Sequence, residues 1–208
     1  PALPPGEGWL MVEVGALADE TLDDVLTRAR VLAAAGQTPH SLVVPAGREA
    51  DALWRIRADG AGLGGRTPAG APAWPGWEDA AVPPEKLGAY LRDFETLLAG
   101  HGMDGLLYGH FGDGCVHVRI DAPLHEDGGV ARWQRFLEEA ADLVAGYGGS
   151  LSGEHGDGRT RSELLGRMYP DLRYNPYSGL TIDFEGLRAT NKEGFNAFMT
   201  ELSAALHA

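Results

Sequence analysis

Residues 9–14, WLMVEV, alternate Leu10, Val12 and Val14 with Trp9, Met11 and Glu13, the period of a strand. A helix is expected next, capped by Asp19 or Thr21, because Leu22, Val25, Leu26, Ala29 and Leu32 repeat at helical spacing before Gly36. Leu42 to Val44 reads as a short strand. From Arg48 to Ala58, Ala50, Leu53, Trp54 and Ile56 predict a second helix, with Arg57 at the border of its apolar stripe, where it can reach a cleft. Between Gly60 and Pro84, 11 of 25 residues are Gly or Pro, a density that predicts a long loop. Trp74 and Trp77 suggest that this loop docks as a cover over a site.

Pro83 and Pro84 open a helix whose Leu87, Tyr90, Leu91, Phe94, Leu97 and Leu98 form a continuous stripe. Two strands follow, Leu106 to Phe111 and Cys115 to Asp121, on either side of Gly112-Asp113-Gly114, a hairpin signal because Asp-Gly supplies positive φ angles. Val130, Trp133, Phe136, Leu137, Ala140, Leu143, Val144 and Tyr147 mark a long amphipathic helix that ends at Gly148-Gly149. The order β-α-β-α and then α-β-β-α lacks regular βαβ alternation. It predicts an α+β fold, helices packed on a mostly antiparallel sheet.

The hairpin concentrates the chemistry. With Asp113-Gly114 as a two-residue turn, residue 110 faces residue 117, and directly opposed Cβ atoms lie about 4.5–5.5 Å apart. Two imidazoles, His110 and His117, then project side by side within reach of one metal ion. Val116, Val118 and Ile120 point to the opposite face, toward helices, while Cys115, His117 and Arg119 line the chemical face. The second candidate is GGSLSGEHGDG, residues 148–158, where glycines surround an adjacent acid and imidazole, Glu154 and His155. Neighbouring side chains diverge, so Glu154 can serve as a third ligand while His155 acts as a base toward substrate. Two histidines and a carboxylate suit zinc, manganese or iron(II) and leave coordination positions open. Cys115 is either a small buried filler or an extra thiolate ligand. Arg57 and Arg119 are either surface ion-pair partners or clamps for a substrate carboxylate. His40, His101, His125 and His207 stand alone and read as solvated.

Composition narrows the partners. The chain has 208 residues, 44% of them hydrophobic and 23% charged, enough to bury one core. A net charge of −13 argues against nucleic acid, whose binding domains cluster Lys and Arg. The single Cys115 forms no internal disulfide, and no apolar run approaches the roughly 18 residues of a transmembrane span. The chain reads as cytoplasmic. It begins at Pro1 without an initiator Met and so reads as part of something longer.

YGHFGDGCVH, Tyr108 to His117, resembles the H-x-GDGN-x-H hairpin of the C-terminal, or cap, domain of FAD-linked oxidases related to glycolate oxidase, D-lactate dehydrogenase and D-2-hydroxyglutarate dehydrogenase. GGSLSGEHGDG is similar to that family's G-x-x-x-x-EHG-x-G signature. Weaker likeness covers LWRIRADG, residues 53–60, and EDAAVPPEKL, residues 78–87. Cys115 stands where Asn is usual, and YNPYSGLTIDFEGLRATNKEGF replaces the family's DP-x-G-x-x-NPG ending. The resemblance implies a ferredoxin-like cap domain over residues 1–169, followed by a divergent tail, 170–208, with a terminal helix and no functional reading. It also implies oxidation of a 2-hydroxy acid, of D-lactate or glycolate type, to the 2-oxo acid. FAD would be held mostly by a further domain of the same polypeptide, and some relatives carry an iron–sulfur domain as well. The metal would rest on His110, His117 and Glu154, with His155 as base and Arg57 or Arg119 on the carboxylate. The competing readings are a metal-binding or interaction module without redox activity and, with no HExxH helix in its favour, a metallohydrolase.

Overall fold

The structure is a computed structural model that describes residues 2–36, 40–63, 65–67, 69–168 and 192–206. Its fold is α+β. The first helix, α1 (Leu22–Ala35), begins at Thr21 in a capping box: the Thr21 hydroxyl accepts from the Asp24 N–H, and the Asp24 carboxylate accepts from the Thr21 N–H at 2.9 Å. The second, α2 (Arg48–Leu63), runs five residues beyond the expected stop at Ala58. Neither 9–14 nor 42–44 is a strand. Their alternation is genuine, but a strand needs a ladder partner, and both segments lie outside the sheet.

The expected loop over 60–84 contains, in addition to the end of α2, strand β1 (Trp74–Ala81). Gly and Pro density misled here because β1 is an irregular edge of the kind that tolerates Pro75 and Gly76. Trp77 is a core residue rather than part of a cover, and its indole N–H donates to the Tyr90 hydroxyl at 2.9 Å. Helix α3 (Leu87–Gly100) leads to β2 (Gly105–His110) and β3 (Cys115–Ile120), and α4 (Gly129–Gly146) follows. Strand order is β1-β3-β2, all neighbours antiparallel. After α4, Ser150 bridges to Ala81 of β1. Ser150, β1, β3 and β2 thus stand in the order of the ferredoxin-like β-α-β-β-α-β arrangement, with the last strand reduced to one bridge. Two short helices, α5 (Gly158–Arg161) and α6 (Leu165–Met168), follow.

One face of the sheet is the core. Val116, Val118 and Ile120 are fully buried there against Phe94 of α3 and Phe136, Ala140 and Val144 of α4. Phe94 and Phe136 meet edge-on with ring centres 5.9 Å apart, and each buried aromatic contributes about 1.5–3 kcal/mol of transfer free energy. Contacts divide the chain into two compact units, Pro1–Tyr169 and Pro170–Ala208. In the second, α7 (Lys192–Leu206) is described, while the YNPYSGLTIDFEGLRAT stretch lies outside the described residues. Among the described residues no helix is long and apolar enough to cross a membrane.

Candidate metal centre

Four residues, Phe111 to Gly114, close the β2–β3 hairpin, not two: a 3₁₀ turn over Phe111–Asp113 precedes Gly114 at φ 73°. His110 consequently pairs with Cys115, and His117 with Tyr108. The expected 110–117 pairing is wrong by two residues. Side-chain direction alternates with period two, so a slip of two leaves every side chain on its expected face. His110 and His117 are diagonal rather than opposed neighbours, with ring centres 6.4 Å apart.

Glu154 reaches that face from the glycine-rich loop. Its carboxylate is met by three imidazole nitrogens, His110 Nε2 at 3.7 Å, His117 Nε2 at 3.9 Å and His155 Nε2 at 3.9 Å. These separations exceed hydrogen-bond lengths. They approach the spacing of atoms sharing an ion, since two ligands each about 2.0–2.2 Å from a metal stand roughly 3.3–3.6 Å apart. His117 is 6% exposed, and its Nδ1 lies 3.1 Å from the Asp79 N–H and 3.3 Å from Glu78 Oε2. Glu78 can accept from an Nδ1–H, the partner a histidine ligating through Nε2 needs, whereas the Asp79 N–H donates to Nδ1 only when that nitrogen carries no proton. His155 stacks on His117, ring centres 5.4 Å apart and planes 16° from parallel, and its side chain is 60% exposed.

The structure brings Arg57 to this cluster. From α2 its Nη2 lies 3.3 Å from His110 Nδ1 and 3.4 Å from the Gly109 carbonyl oxygen. Arg119 stands on the same sheet face but further along β3, its Nε 3.4 Å from the Tyr108 hydroxyl and 3.8 Å from Glu78 Oε1. Cys115 is buried; burial first, and then the Asp79 carboxylate, push its thiol up to about 12. Two of the remaining histidines divide. His125 is exposed, whereas His101 is not simply solvated: its Nε2 pairs with Glu139 at 3.0 Å and its ring packs edge-on against Phe136.

Sequence reasoning missed Asp79 and Glu78. Trp77 pairs with Val118 and Ala80 with Val116, three steps on β1 against two on β3, so β1 bulges at these acids. Asp79 adopts φ 76°, which costs a non-glycine residue about 1–3 kcal/mol. The bulge keeps both Trp77 and Ala80 in the core and turns Asp79 toward the loop. There the wholly buried carboxylate accepts from the His155 N–H at 2.7 Å, the Ser152 hydroxyl at 2.8 Å and the Glu154 N–H at 2.9 Å. Burial opposes its ionisation, but these three donors, the His155 and Glu154 amides foremost, outweigh burial and hold the carboxyl below its ordinary value. The readable signal was an acid pair interrupting an apolar run just before Val82-Pro83.

Three overlapping residue sets have the spacing to hold an ion: His110, His117 and Glu154; Asp79, His117 and His155; Asp79, Cys115 and Glu154. Both Asp79 oxygens are already occupied by hydrogen-bond donors. The donor chemistry therefore fits the first set, whose two neutral imidazoles and one carboxylate are the ligand types of zinc, manganese and iron(II) sites.

Fold and cluster define an α+β domain with a histidine–carboxylate site on the sheet face away from the core. The family described as "FAD linked oxidases, C-terminal domain" matches residues 1–177, and the chain belongs to it. Among similar proteins, one from Pseudomonas putida named D-2-hydroxyglutarate dehydrogenase is 37% identical over 125 residues, 58% of this chain and 12% of that protein. One from Archaeoglobus fulgidus named D-lactate dehydrogenase is 36% identical over 93 residues, 45% of this chain and 20% of that protein. A Bacillus subtilis protein named glycolate oxidase subunit GlcD is 25% identical over 88 residues, 42% of this chain and 19% of that protein. The chain thus spans a minor part of the length of each.

Proposed function

We propose that this chain is the substrate-side part of an FAD-linked enzyme that oxidises a 2-hydroxy acid to the 2-oxo acid, with a divalent ion on His110, His117 and Glu154. The observation that carries this reading is the convergence of three imidazoles on the Glu154 carboxylate at 3.7–3.9 Å, two of them from one hairpin. Family membership and three relatives whose names all specify a 2-hydroxy acid support it. When bound, the flavin supplies an acceptor for the C2 hydride, and the divalent ion supplies positive charge that lowers the pKa of the C2 hydroxyl.

The chain's own residues then divide the work. His155, exposed and held flat on His117, receives the hydroxyl proton as the C2 hydride departs, so that an alcohol loses two electrons and two hydrogens. Arg57, beside His110, pairs with the C1 carboxylate and orients the substrate. Arg119 offers a second guanidinium further along β3, partly engaged by Tyr108 and Glu78. A substrate with a second carboxylate draws on it. One with a single carboxylate, such as D-lactate or glycolate, does not.

The test uses the full-length flavoprotein, mixed anaerobically with D-lactate, glycolate or D-2-hydroxyglutarate while flavin bleaching is followed. At least one acid should bleach the flavin, bleaching should cease after chelation, and Zn²⁺ or Mn²⁺ should restore it. Undiminished bleaching in metal-stripped protein, or none with any 2-hydroxy acid, would overturn the reading.

A further inference from the structure

We infer that Asp79 is a positioning residue, whose carboxylate holds the Glu154–His155 dipeptide in its working pose before ion or substrate arrives. The inference rests on the roles proposed for Glu154 and His155, but its basis is separate geometry. Both consecutive backbone amides of the dipeptide donate to Asp79, at 2.9 and 2.7 Å, and the Ser152 hydroxyl donates at 2.8 Å. The Asp79 carbonyl oxygen accepts from the Gly153 N–H at 2.7 Å, so one residue gathers four donors from four successive loop residues. Its own N–H reaches His117 Nδ1 at 3.1 Å, which couples the loop to the hairpin that carries the other two ligands.

A loop bounded by Gly148, Gly149, Gly156 and Gly158 has wide conformational freedom unless something holds it. Residues 148–158 have no strand ladder beyond the Ser150 bridge to Ala81. Asp79 replaces that ladder. A fully buried carboxylate whose left-handed backbone is retained inside a sheet edge is the strained arrangement expected where the surroundings fix a residue for a site. Arg161, with Nη1 2.7 Å from the Leu151 carbonyl oxygen and 3.9 Å from Asp79 Oδ2, faces the same carboxylate from α5 and offsets its charge.

Asn at position 79 tests this because it keeps size and shape. Glu154 N–H meets Oδ1, and His155 N–H meets Oδ2. Whichever way the amide turns, its NH₂ group faces one of these donors, and a charge-assisted acceptor is lost. Three quantities are to be measured in the full-length flavoprotein carrying Asp79→Asn: hydrogen exchange of peptides covering 150–158 after metal removal, Zn²⁺ affinity, and the kinetics of flavin reduction with metal saturating. Exchange of the Glu154 and His155 amides should rise about 10-fold while peptides from β3 and α4 keep their wild-type exchange. Zn²⁺ affinity should fall about 10- to 100-fold. With metal saturating, kcat should fall by on the order of 10-fold while KM moves less, because the base is misaimed rather than the substrate site dismantled.

Ser152→Ala removes one donor without touching the bulge and should raise loop exchange by a smaller factor, about 3-fold. It decides the matter by the same exchange readings if Asp79→Asn does not fold. Unchanged loop exchange, or loop exchange that rises only together with that of β3 and α4, would overturn the inference. Because exchange is read in metal-free protein, it tests Asp79 independently of which acid, if any, bleaches the flavin.

Discussion

Glu154 and His155 are neighbours in sequence with different surroundings, and their variants should part accordingly. Glu154 sits among three imidazoles and, as a ligand, should take metal and rate with it when replaced, so Glu154→Gln in the full-length enzyme should lose both. His155→Asn keeps a polar group but no basic nitrogen, so metal content should persist while flavin reduction falls about 10²- to 10⁴-fold. Metal analysis beside stopped-flow reduction separates them. Metal lost from His155→Asn and kept in Glu154→Gln would exchange the two roles. Cys115 allows a second check at this scale. Its thiol is 2% exposed and, pushed up to about 12, stays protonated at pH 8, where a thiolate is the reactive form. Iodoacetamide at pH 8 should leave Cys115 unmodified in native protein and modify it in urea, as mass spectrometry would show. That His110 and His117 share a face was legible from the Asp-Gly hairpin signal and period-two alternation, and Glu154 and His155 stood out as an adjacent acid and imidazole in a glycine-rich loop. Asp79 was not legible, because its role depends on a bulge created by pairing with β3, and a single strand's pattern contains no record of its partner's register.

At the scale of elements, helices α3 and α4 and the hairpin followed from periodicity and Asp-Gly, whereas turn length, β1 and the N-terminal segments did not. Helical stripes are local, but a strand exists only when another strand meets it, so WLMVEV, with no ladder partner among the described residues, is irregular and Pro-bearing β1 beside β3 is a strand. The hairpin's four-residue turn shifts the pairing by two, so His110 and His117 still share one sheet face. Its geometry can be challenged at Gly114, which has φ 73° and receives the chain leaving β1: the Val82 N–H donates to its carbonyl at 3.1 Å, and a Cβ would run into the Val82 carbonyl oxygen. Left-handed backbone alone costs Ala about 1–2 kcal/mol, and the collision adds to it. Gly114→Ala should therefore lower stability by about 2 kcal/mol or more in urea titration of the chain. A loss below about 0.5 kcal/mol, the range of an inconsequential surface change, would mean that the turn has another conformation.

On the scale of the whole chain, polar site and apolar surface are distributed unevenly. Trp9, Leu10, Val12, Leu17, Leu22 and Val31 are all more than 45% exposed, and α1 buries no residue despite a good cap and a clear stripe. Periodicity shows which face of a helix is apolar but not what covers it, which is why α1 was legible as a helix and its surroundings were not. Local opening costs little where few apolar contacts must break, so trypsin acting on the chain by itself should cut at Arg28 and Arg30 of α1 before Arg92 of α3 or Arg135 of α4. The site gathers groups suited to an ion and a small acid, all of them within this chain, whereas the chain spans 12% of the Pseudomonas putida relative's length. Ion and flavin should then separate: chain expressed alone, incubated with FAD and Zn²⁺ and passed through a desalting column, should emerge colourless yet carry about one zinc. The zinc should be lost in a His110→Ala, His117→Ala double variant, since removing two of three ligands leaves too few donors. Chain that emerged yellow would place a complete flavin site within these 208 residues and remove the need for any other part of the polypeptide in holding the cofactor.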